Sequence, residues 1–392
     1  MSFDIALSGI QSINQQLNST SNNIANAGTY GFKSSRANFS AMYAGSRATG
    51  TEIGSITQSM SLNGGVLNTG RALDAAIDGR GYFVARDAQN TMSYSRVGIF
   101  SASNEGKLID SNGRLVQGYA AVKGSTTLGT MGDMNIPTGQ IPAVASTKLA
   151  YAANMSSEWP IKAGPFDKTN ELTYNSAKSS IIYDSLGAKH ALGQYFVKTA
   201  AGVDVHYTLD NVTVGPVTSM TFDTSGKLNM TAPVPLTLGT PTGAAPLSIA
   251  IDYTGTTQFA GEANTSTDRA DGYASGTYTG VELANDGSVV AKYTNGQKQS
   301  IGVIALATFP DEGALTAVND TSWVASTTSG TAMYDRPGVG MAGKLVTSSL
   351  EQSNVDITSE LVGLMTSQRN YQANSKVIST ENAMLQSLMQ AL

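Results

Sequence analysis

Two apolar files, one at each extreme of the chain, limit what this sequence can fold into more than any other feature. Phe3, Ala6, Ile10, Ile13, Leu17, Thr20 and Ile24 step alternately by three and four residues, the spacing of a helix with one narrow seam. Near the other end, Ile357, Leu361, Leu364, Gln368, Tyr371, Ser375, Ile378, Asn382, Leu385, Met389 and Leu392 step in the same way. No proline, and no glycine beyond Gly363, interrupts this second file, so the spacing predicts one long helix. Ser353-Asn354-Val355-Asp356 in front of it reads as a capping box, and Gly28 reads as the left-handed residue that closes the first helix.

The second file is apolar on one stripe only, because Gln368, Ser375 and Asn382 fill its alternate positions. A helix inside a bundle core would want both stripes apolar, whereas a helix in a wall wants one stripe against a partner and a polar flank toward water. Two readings follow. The ends form an intramolecular two-helix coiled coil, or they order only when copies of the chain pack together. The second has physical support, since isolated helices are marginal and two helices bury little surface against the entropy of ordering them. The residues expected to carry self-assembly are Phe3, Ile10, Ile13, Leu17 and Ile24 on the first helix. On the second they are Ile357, Leu364, Tyr371, Ile378, Leu385 and Leu392.

Between the ends the chain is short, glycine-punctuated and poor in charge: 41 glycines and only 14% charged residues in 392. That composition suits short strands and turns. Asn-Gly pairs at 112–113 and 295–296 sit between apolar runs, the strongest short-range hairpin signal. The two runs share one style, which suggests a single β-domain whose strands come from both sides of an insertion. The expected fold is therefore mainly β with helical termini and nested, discontinuous domains. Residues 1–30 form an N-terminal helix, 31–70 an extended connector, and 71–145 the first part of an inner β-domain. Residues 146–272 form an inserted β-domain of barrel or sandwich type, 273–343 the second part of the inner β-domain, and 344–392 a connector and the C-terminal helix.

Chemistry finds little foothold. The absence of cysteine excludes disulfides, thiolate metal sites and cysteine nucleophiles. His190 and His206 lie in strand-like stretches and read as ordinary strand residues. Gly338-Val339-Gly340-Met341-Ala342-Gly343 matches the spacing of a dinucleotide loop, but Met333-Tyr334-Asp335-Arg336-Pro337 before it is no strand, and the next helical pattern begins more than ten residues later. The carboxylate pairs Asp311–Glu312 and Asp268–Asp271 read as solvated turns. No residue is assigned a catalytic, cofactor-binding or metal-binding role, no cofactor is expected, and the chain does not read as an enzyme. A net charge of −5 with scattered Lys and Arg argues against nucleic acid. No window is apolar enough for membrane insertion, and Met1–Gln16 lacks the layout of a cleaved signal peptide.

Thr29, Gly31, Phe32 and Lys33, within "NNIANAGTYGFKSSRANF", resemble the N-terminal signature of the bacterial flagellar axial proteins, the family of rod, hook and hook-associated subunits. "LEQSNVDITSELVGLMTSQRNYQANSKVISTENAMLQSLMQAL" is similar to the C-terminal signature of that family, and the interior stretches "YSRVGIFSASNEGKLIDSNGRLVQGY" and "IIYDSLGAKHALGQYFVK" are similar to its hook branch. The resemblance implies a subunit that self-assembles into a curved, flexible tube outside the cell. That tube acts as a universal joint carrying motor torque from rod to filament, around a central export channel. It implies terminal helices in the inner tube, with Gln368, Ser375 and Asn382 facing the lumen. It implies partners: further copies of the chain, a hook cap protein, a distal rod protein, a hook–filament junction protein and the flagellar type III export apparatus. Export without a cleaved signal peptide follows from the same resemblance. Two alternatives stay open at this point: a distal rod or hook–filament junction protein of the same family, and a secreted β-rich adhesin.

Overall fold

The computed structural model describes residues 2–122, 127–230 and 232–390; Leu392, one of the expected assembly residues, lies outside them. Helix α1 (Ser2–Ala25) and helix α2 (Ile357–Gln390) stand at the two ends, and the regular structure between them is strands plus two short 3-10 turns. This is the mainly β chain with helical termini that the sequence predicts. Two details of the helix ends differ from expectation. Asp356, not Ser353, caps α2: its carboxylate accepts from Thr358 N at 3.0 Å and from Ser359 N at 3.4 Å. The left-handed residue after α1 is Gly31, with φ of 66°, rather than Gly28. A β-carbon at Gly31 would lie 3.1 Å from the Arg96–Val97 backbone, so the close approach as well as the dihedral requires glycine.

Residues 31–70, expected as an extended connector, carry a long hairpin. Strand β1 (Ser35–Ala44) pairs antiparallel with strand β2 (Arg47–Gln58) around Gly45-Ser46. Two register shifts interrupt the pairing, and Phe39, Met42, Tyr43 and Ile56 stay exposed, so no clean in–out alternation marks these strands.

The chain divides into two compact units. The first comprises Met1–Thr138, Gly280–Lys292 and Lys298–Leu392; the second comprises Gly139–Thr279 and Tyr293–Gln297. In the first unit, strands from both sides of the insertion share one sheet: Leu115–Ala121 pairs with Lys298–Ile304, Tyr82–Arg86 with Leu306–Thr308, and Met92–Ser95 with Ser322–Val324. Its aromatic core is packed edge to face, with Tyr82 against Trp323 at 5.7 Å and Tyr94 against Phe309 at 4.8 Å between ring centroids. The second unit is two four-stranded sheets around one apolar core that includes Leu149, Tyr151, Leu192, Phe196, Val205, Tyr207, Leu236 and Ile249. Gln194 is buried in that core but satisfied, accepting from Tyr253 OH at 2.7 Å and donating to Ser180 Oγ at 3.2 Å.

One turn design recurs and explains why Asp, Ser and Gly are so frequent. Asp87, Ser103, Asp110, Asp184 and Asp223 each accept hydrogen bonds from the backbone N–H groups two and four residues ahead. The residue three ahead is left-handed in every case, Gly113 and Gly226 (φ of 79° and 74°) among them. The Asn112-Gly113 and Asn295-Gly296 pairs do sit in hairpins, joining Leu108–Asp110 to Leu115–Ala121 and Ser288–Tyr293 to Lys298–Ile304.

The other sequence-level candidates resolve as follows. Contrary to the sequence reading, Met333–Asp335 before the glycine stretch is a strand, paired with Leu306–Thr308, but Gly338–Gly343 curls on itself through a 2.8 Å bond from Gly338 N to Gly343 O and leads into strand Lys344–Thr347, not into a helix. Glu312 is no solvated turn residue: it is nearly buried and takes hydrogen bonds from Arg80 Nε at 2.9 Å and Tyr82 OH at 3.3 Å. Asp271 accepts from the backbone of Thr147 and Lys148 at 2.8 and 2.9 Å. His206 stacks on Phe166 at 4.2 Å. His190 is not isolated from acids, because the hairpin ends of its sheet bring two to it. Its Nδ1 lies 2.6 Å from Asp210 Oδ2 and its Nε2 lies 3.4 Å from Asp184 Oδ2.

These two carboxylates, Asp210 first, raise the His190 pKa above the usual 6.5. A raised folded-state value stabilises the second unit while His190 is protonated, fully so below 6.5, and that stabilisation is lost as pH climbs through the raised value. The melting temperature of the second unit is therefore expected to fall as pH rises above about 6.5, with a shallower slope in His190→Gln; equal slopes in a pH series of calorimetric scans would refute the assignment.

Candidate self-assembly surface

The two ends of the chain meet at one buried ionic junction. Lys33, Arg96 and Glu351 are each at most 2% exposed. Lys33 Nζ lies 2.8 Å from Glu351 Oε1 and Arg96 NH1 lies 3.2 Å from Glu351 Oε2, so one carboxylate bridges two cations. Further bonds go to backbone carbonyls: Lys33 Nζ donates to Leu62 O at 2.7 Å, and Arg96 NH1 and NH2 donate to Ile77 O and Gly79 O at 3.2 and 2.7 Å, while the buried Arg96 Nε has no partner. The Arg96 guanidinium sits 5.3 Å above the Tyr82 ring. Burial holds the Lys33 ammonium below the usual lysine value, against the opposing pull of Glu351.

Backbone contacts tighten the same junction. Gly31 N donates to Glu351 O at 2.8 Å, and Glu351 Oε1 also accepts from Gly64 N at 3.1 Å. Asn354 accepts from Ser34 N at 2.7 Å and donates to Ser59 O and Leu62 O at 3.0 and 2.9 Å. Thr29 Oγ1 donates to Asn26 Oδ1 at 3.1 Å, and Asn354 N reaches Phe32 O at 3.3 Å. Gly31, Phe32 and Lys33 therefore act as the socket into which residues 351–354 lock, and Thr29 closes the turn before them onto Asn26. Glu351, Asn354 and Arg96 were not singled out from sequence. Only the pairing of a T-x-G-F-K turn with a distant Glu and Asn marks them, and that pairing is visible in three dimensions alone.

Because the junction joins the end of α1 to the start of α2, the helices run antiparallel. Asn23 is almost fully buried and bonds in three directions: Ser35 N to its Oδ1 at 2.8 Å, its Nδ2 to Ser35 O at 2.8 Å, and its Nδ2 to Glu360 Oε1 at 2.7 Å. Fourteen residues earlier on α1, Gly9 meets Asn374, fourteen residues later on α2; a β-carbon at Gly9 would come within 3.0 Å of Asn374 Nδ2. The other side of α1 lies on the hairpin, with Ser12 Oγ donating to Thr51 O at 3.0 Å and Thr51 N to Ser8 Oγ at 3.2 Å.

The face of α2 turned to α1 is not the file read from sequence but that file displaced at alternate positions. Leu364 and Ile378 are partly covered as expected and Tyr371 is exposed, while the other covered positions are Glu360, Ser367, Asn374 and Glu381. Small and polar side chains win there because Gly9 and Asn23 bring the helices close and supply hydrogen bonds. On α1, Ile13 is buried, Ile10, Leu17 and Ile24 are half-buried, and Phe3 is exposed. Ile357 and Leu385 are about half exposed, as are Leu361, Val362 and Met365, and Leu388 and Met389 more so. Gln368, Ser375 and Asn382 are exposed. No helix among the described residues is long and apolar enough to cross a membrane.

Known proteins carry the same segments. Residues 76–150 match the family described as flagellar hook protein FlgE/F/G D1 domain, residues 152–273 the flagellar basal body protein FlaE D2 domain, and residues 346–391 the flagellar basal body rod FlgEFG protein C-terminal. The flagellar hook protein FlgE of Salmonella typhimurium is 34% identical over 401 residues, covering 99% of both chains. That of Escherichia coli K12 is 34% identical over 400 residues with the same coverage, and that of Treponema pallidum is 28% identical over 452. The crystal structure of the Helicobacter pylori flagellar hook protein FlgE2 superposes with a TM-score of 0.53 at 12% identity, over 73% of this chain and all of that one, a likeness of fold.

Glu351→Ala leaves two buried cations without their counter-ion. It is expected to destabilise the first unit by about 3–5 kcal/mol, the cost typical of breaking a buried pair from one side. Chemical denaturation followed by Trp323 fluorescence reads this, since Trp323 is buried in the first unit; an effect under about 1 kcal/mol would show the junction to be energetically idle.

Proposed function

The chain belongs to the flagellar hook protein family, and from that membership we propose how its two ends build the hook. It is a structural subunit of the flagellar hook. Copies pack through Phe3, Ile10, Leu17 and Ile24 on α1 and through Ile357, Leu364, Tyr371, Ile378 and Leu385 on α2, with Leu392 continuing the same file; Ile13, also expected there, is buried within the chain and serves its own fold. The observation that carries this reading is the apolar surface of α2 that the chain's own fold leaves open, with Leu361 47%, Met365 59% and Met389 77% exposed. Clusters of exposed apolar side chains of this kind mark an interaction site. Gln368, Ser375 and Asn382 are exposed on one stripe of the same helix and suit the wet wall of a central export channel.

The finer parts of the proposal come with the family. The tube bends while it turns, acting as a universal joint between rod and filament. Further partners are the hook cap protein, the distal rod protein, the hook–filament junction protein and the type III export apparatus that delivers the chain outside the cell. The role is mechanical rather than enzymatic. Bending requires contacts among the inserted domains to slide, which favours neutral polar faces over charge pairs or large apolar patches.

Two measurements test this. Electron micrographs of concentrated or salted-out protein are expected to show tubes, and Leu385→Asp to abolish them while shifting monomer stability by no more than about 0.5 kcal/mol, as surface substitutions do. Tubes that persist in Leu385→Asp would remove the helix from the interface. Leucines placed over the polar surface of residues 210–265 are expected to straighten hooks on cells, and unchanged curvature would count against sliding contacts there.

A further inference from the structure

Helix α2 is longer than its partner, 34 residues against 24. The antiparallel register set by Asn23–Glu360 and Gly9–Asn374 places Ser2 level with residue 381, so residues 382–390 project past the start of α1. That overhang carries Met384, Leu385, Leu388 and Met389, all more than half exposed, and no charged residue. At about 100° per residue, Leu385 and Met389 point to the side on which Leu364 and Ile378 are partly covered by α1, with Leu388 flanking them. The overhang therefore extends the α1-facing side of α2 into a region where α1 has ended.

A second apolar patch lies at the other end of the same helix. Leu361, Val362 and Met365 are exposed there, on the side roughly half a turn away from the overhang's apolar side. The one charged residue among 357–368, Glu360, already engages Asn23 of its own chain. Two patches on opposite faces and opposite ends of one helix match a specific arrangement. Parallel copies related by a shift and little rotation touch through opposite faces, and a shift of about 35 Å at 1.5 Å per residue brings one patch onto the other. Neither patch would bury an unpaired charge.

We infer that the overhanging turns of α2 in one copy dock on the Leu361–Val362–Met365 face of α2 in the next copy, a head-to-tail contact repeated along the tube. Such a contact is heterologous: each copy offers one patch upward and the other downward, so the series never closes and grows as a filament. The inference rests on the proposed hook assembly and specifies which surfaces meet within it.

The cysteine-free chain gives a clean test. Two single variants, Leu361→Cys and Leu388→Cys, are each copolymerised with excess wild-type chain, separately and as a mixture, then oxidised within the assembled tubes. A disulfide dimer is expected in the mixture, at least about tenfold above either variant alone, because a head-to-tail contact pairs unlike ends. Tubes without that dimer, or dimers from one variant alone, would overturn this contact while leaving self-assembly standing. The mixture with Gln368→Cys in place of Leu361→Cys controls for orientation, and equal cross-linking there would also overturn it. Failure of the wild-type chain to form tubes would sink the assembly reading, and this contact with it.

Discussion

Glu351, held between Lys33 and Arg96 without access to water, is the interaction on which the rest depends. A buried carboxylate with two cations is not an efficient way to add stability, since desolvation offsets much of the attraction. What it supplies is direction. Its oxygens reach Lys33, Arg96 and the backbone at Gly64, while its own carbonyl takes Gly31 N, so the chain leaving α1 and the chain entering α2 are fixed at one point and at one angle. Asn354 adds the same kind of constraint one step further along. From that root the helices have no choice but to run antiparallel, and their far tips are the parts of the pair most remote from the junction.

The contact between the helices themselves is of a different kind. Gly9 packs close to Asn374, Ser367 is buried, and Asn23 donates to Glu360, an arrangement that leaves most of the apolar side chains of α2 facing outward. A helix pair designed for a solitary molecule would do the reverse, turning leucines and methionines inward and amides outward. The chain therefore uses polar fit for the contact within one molecule and leaves apolar area open, as the proposed assembly requires. The exposed apolar residues lie in stripes broken by Gln368, Arg369, Gln372 and Lys376 rather than in one continuous sheet.

Much of this was legible in the residues, and the limits of legibility have physical causes. The helices were readable because a three–four apolar spacing has no other compact solution, and the Asn-Gly hairpins because few residue pairs accept that backbone. The covered face of α2 was misjudged by one position at alternate steps, because apolar spacing reports where burial is wanted in the assembled protein and not where a polar, close-packed contact forms within one chain. Glu351 and Arg96 were invisible for a related reason: a single charged residue looks solvated until its partners, separated by hundreds of positions, are brought beside it. The β1–β2 hairpin escaped because α1 covers it only in part and two register shifts break its pairing, so no clean alternation records it. His190 was read as isolated because Asp210 approaches it only once the sheet is formed.

The two kinds of contact also differ in how they respond to load. Charge-assisted hydrogen bonds at the junction weaken steeply when donor and acceptor move by a few tenths of an ångström or out of line, so the root of the helix pair behaves as a rigid body. Apolar contact is non-directional and roughly proportional to area, so leucine and methionine stripes keep most of their attraction through small axial shifts. A tube made from such subunits has stiff units joined by tolerant seams. Met365, Met384 and Met389, with their flexible thioethers, stand where those seams would have to give, whereas the junction holds only residues whose bonding geometry is fixed. The placement of side-chain chemistry along the chain thus suits the proposed mechanical role, with directional bonds at the roots of the helices and tolerant apolar area along their open sides.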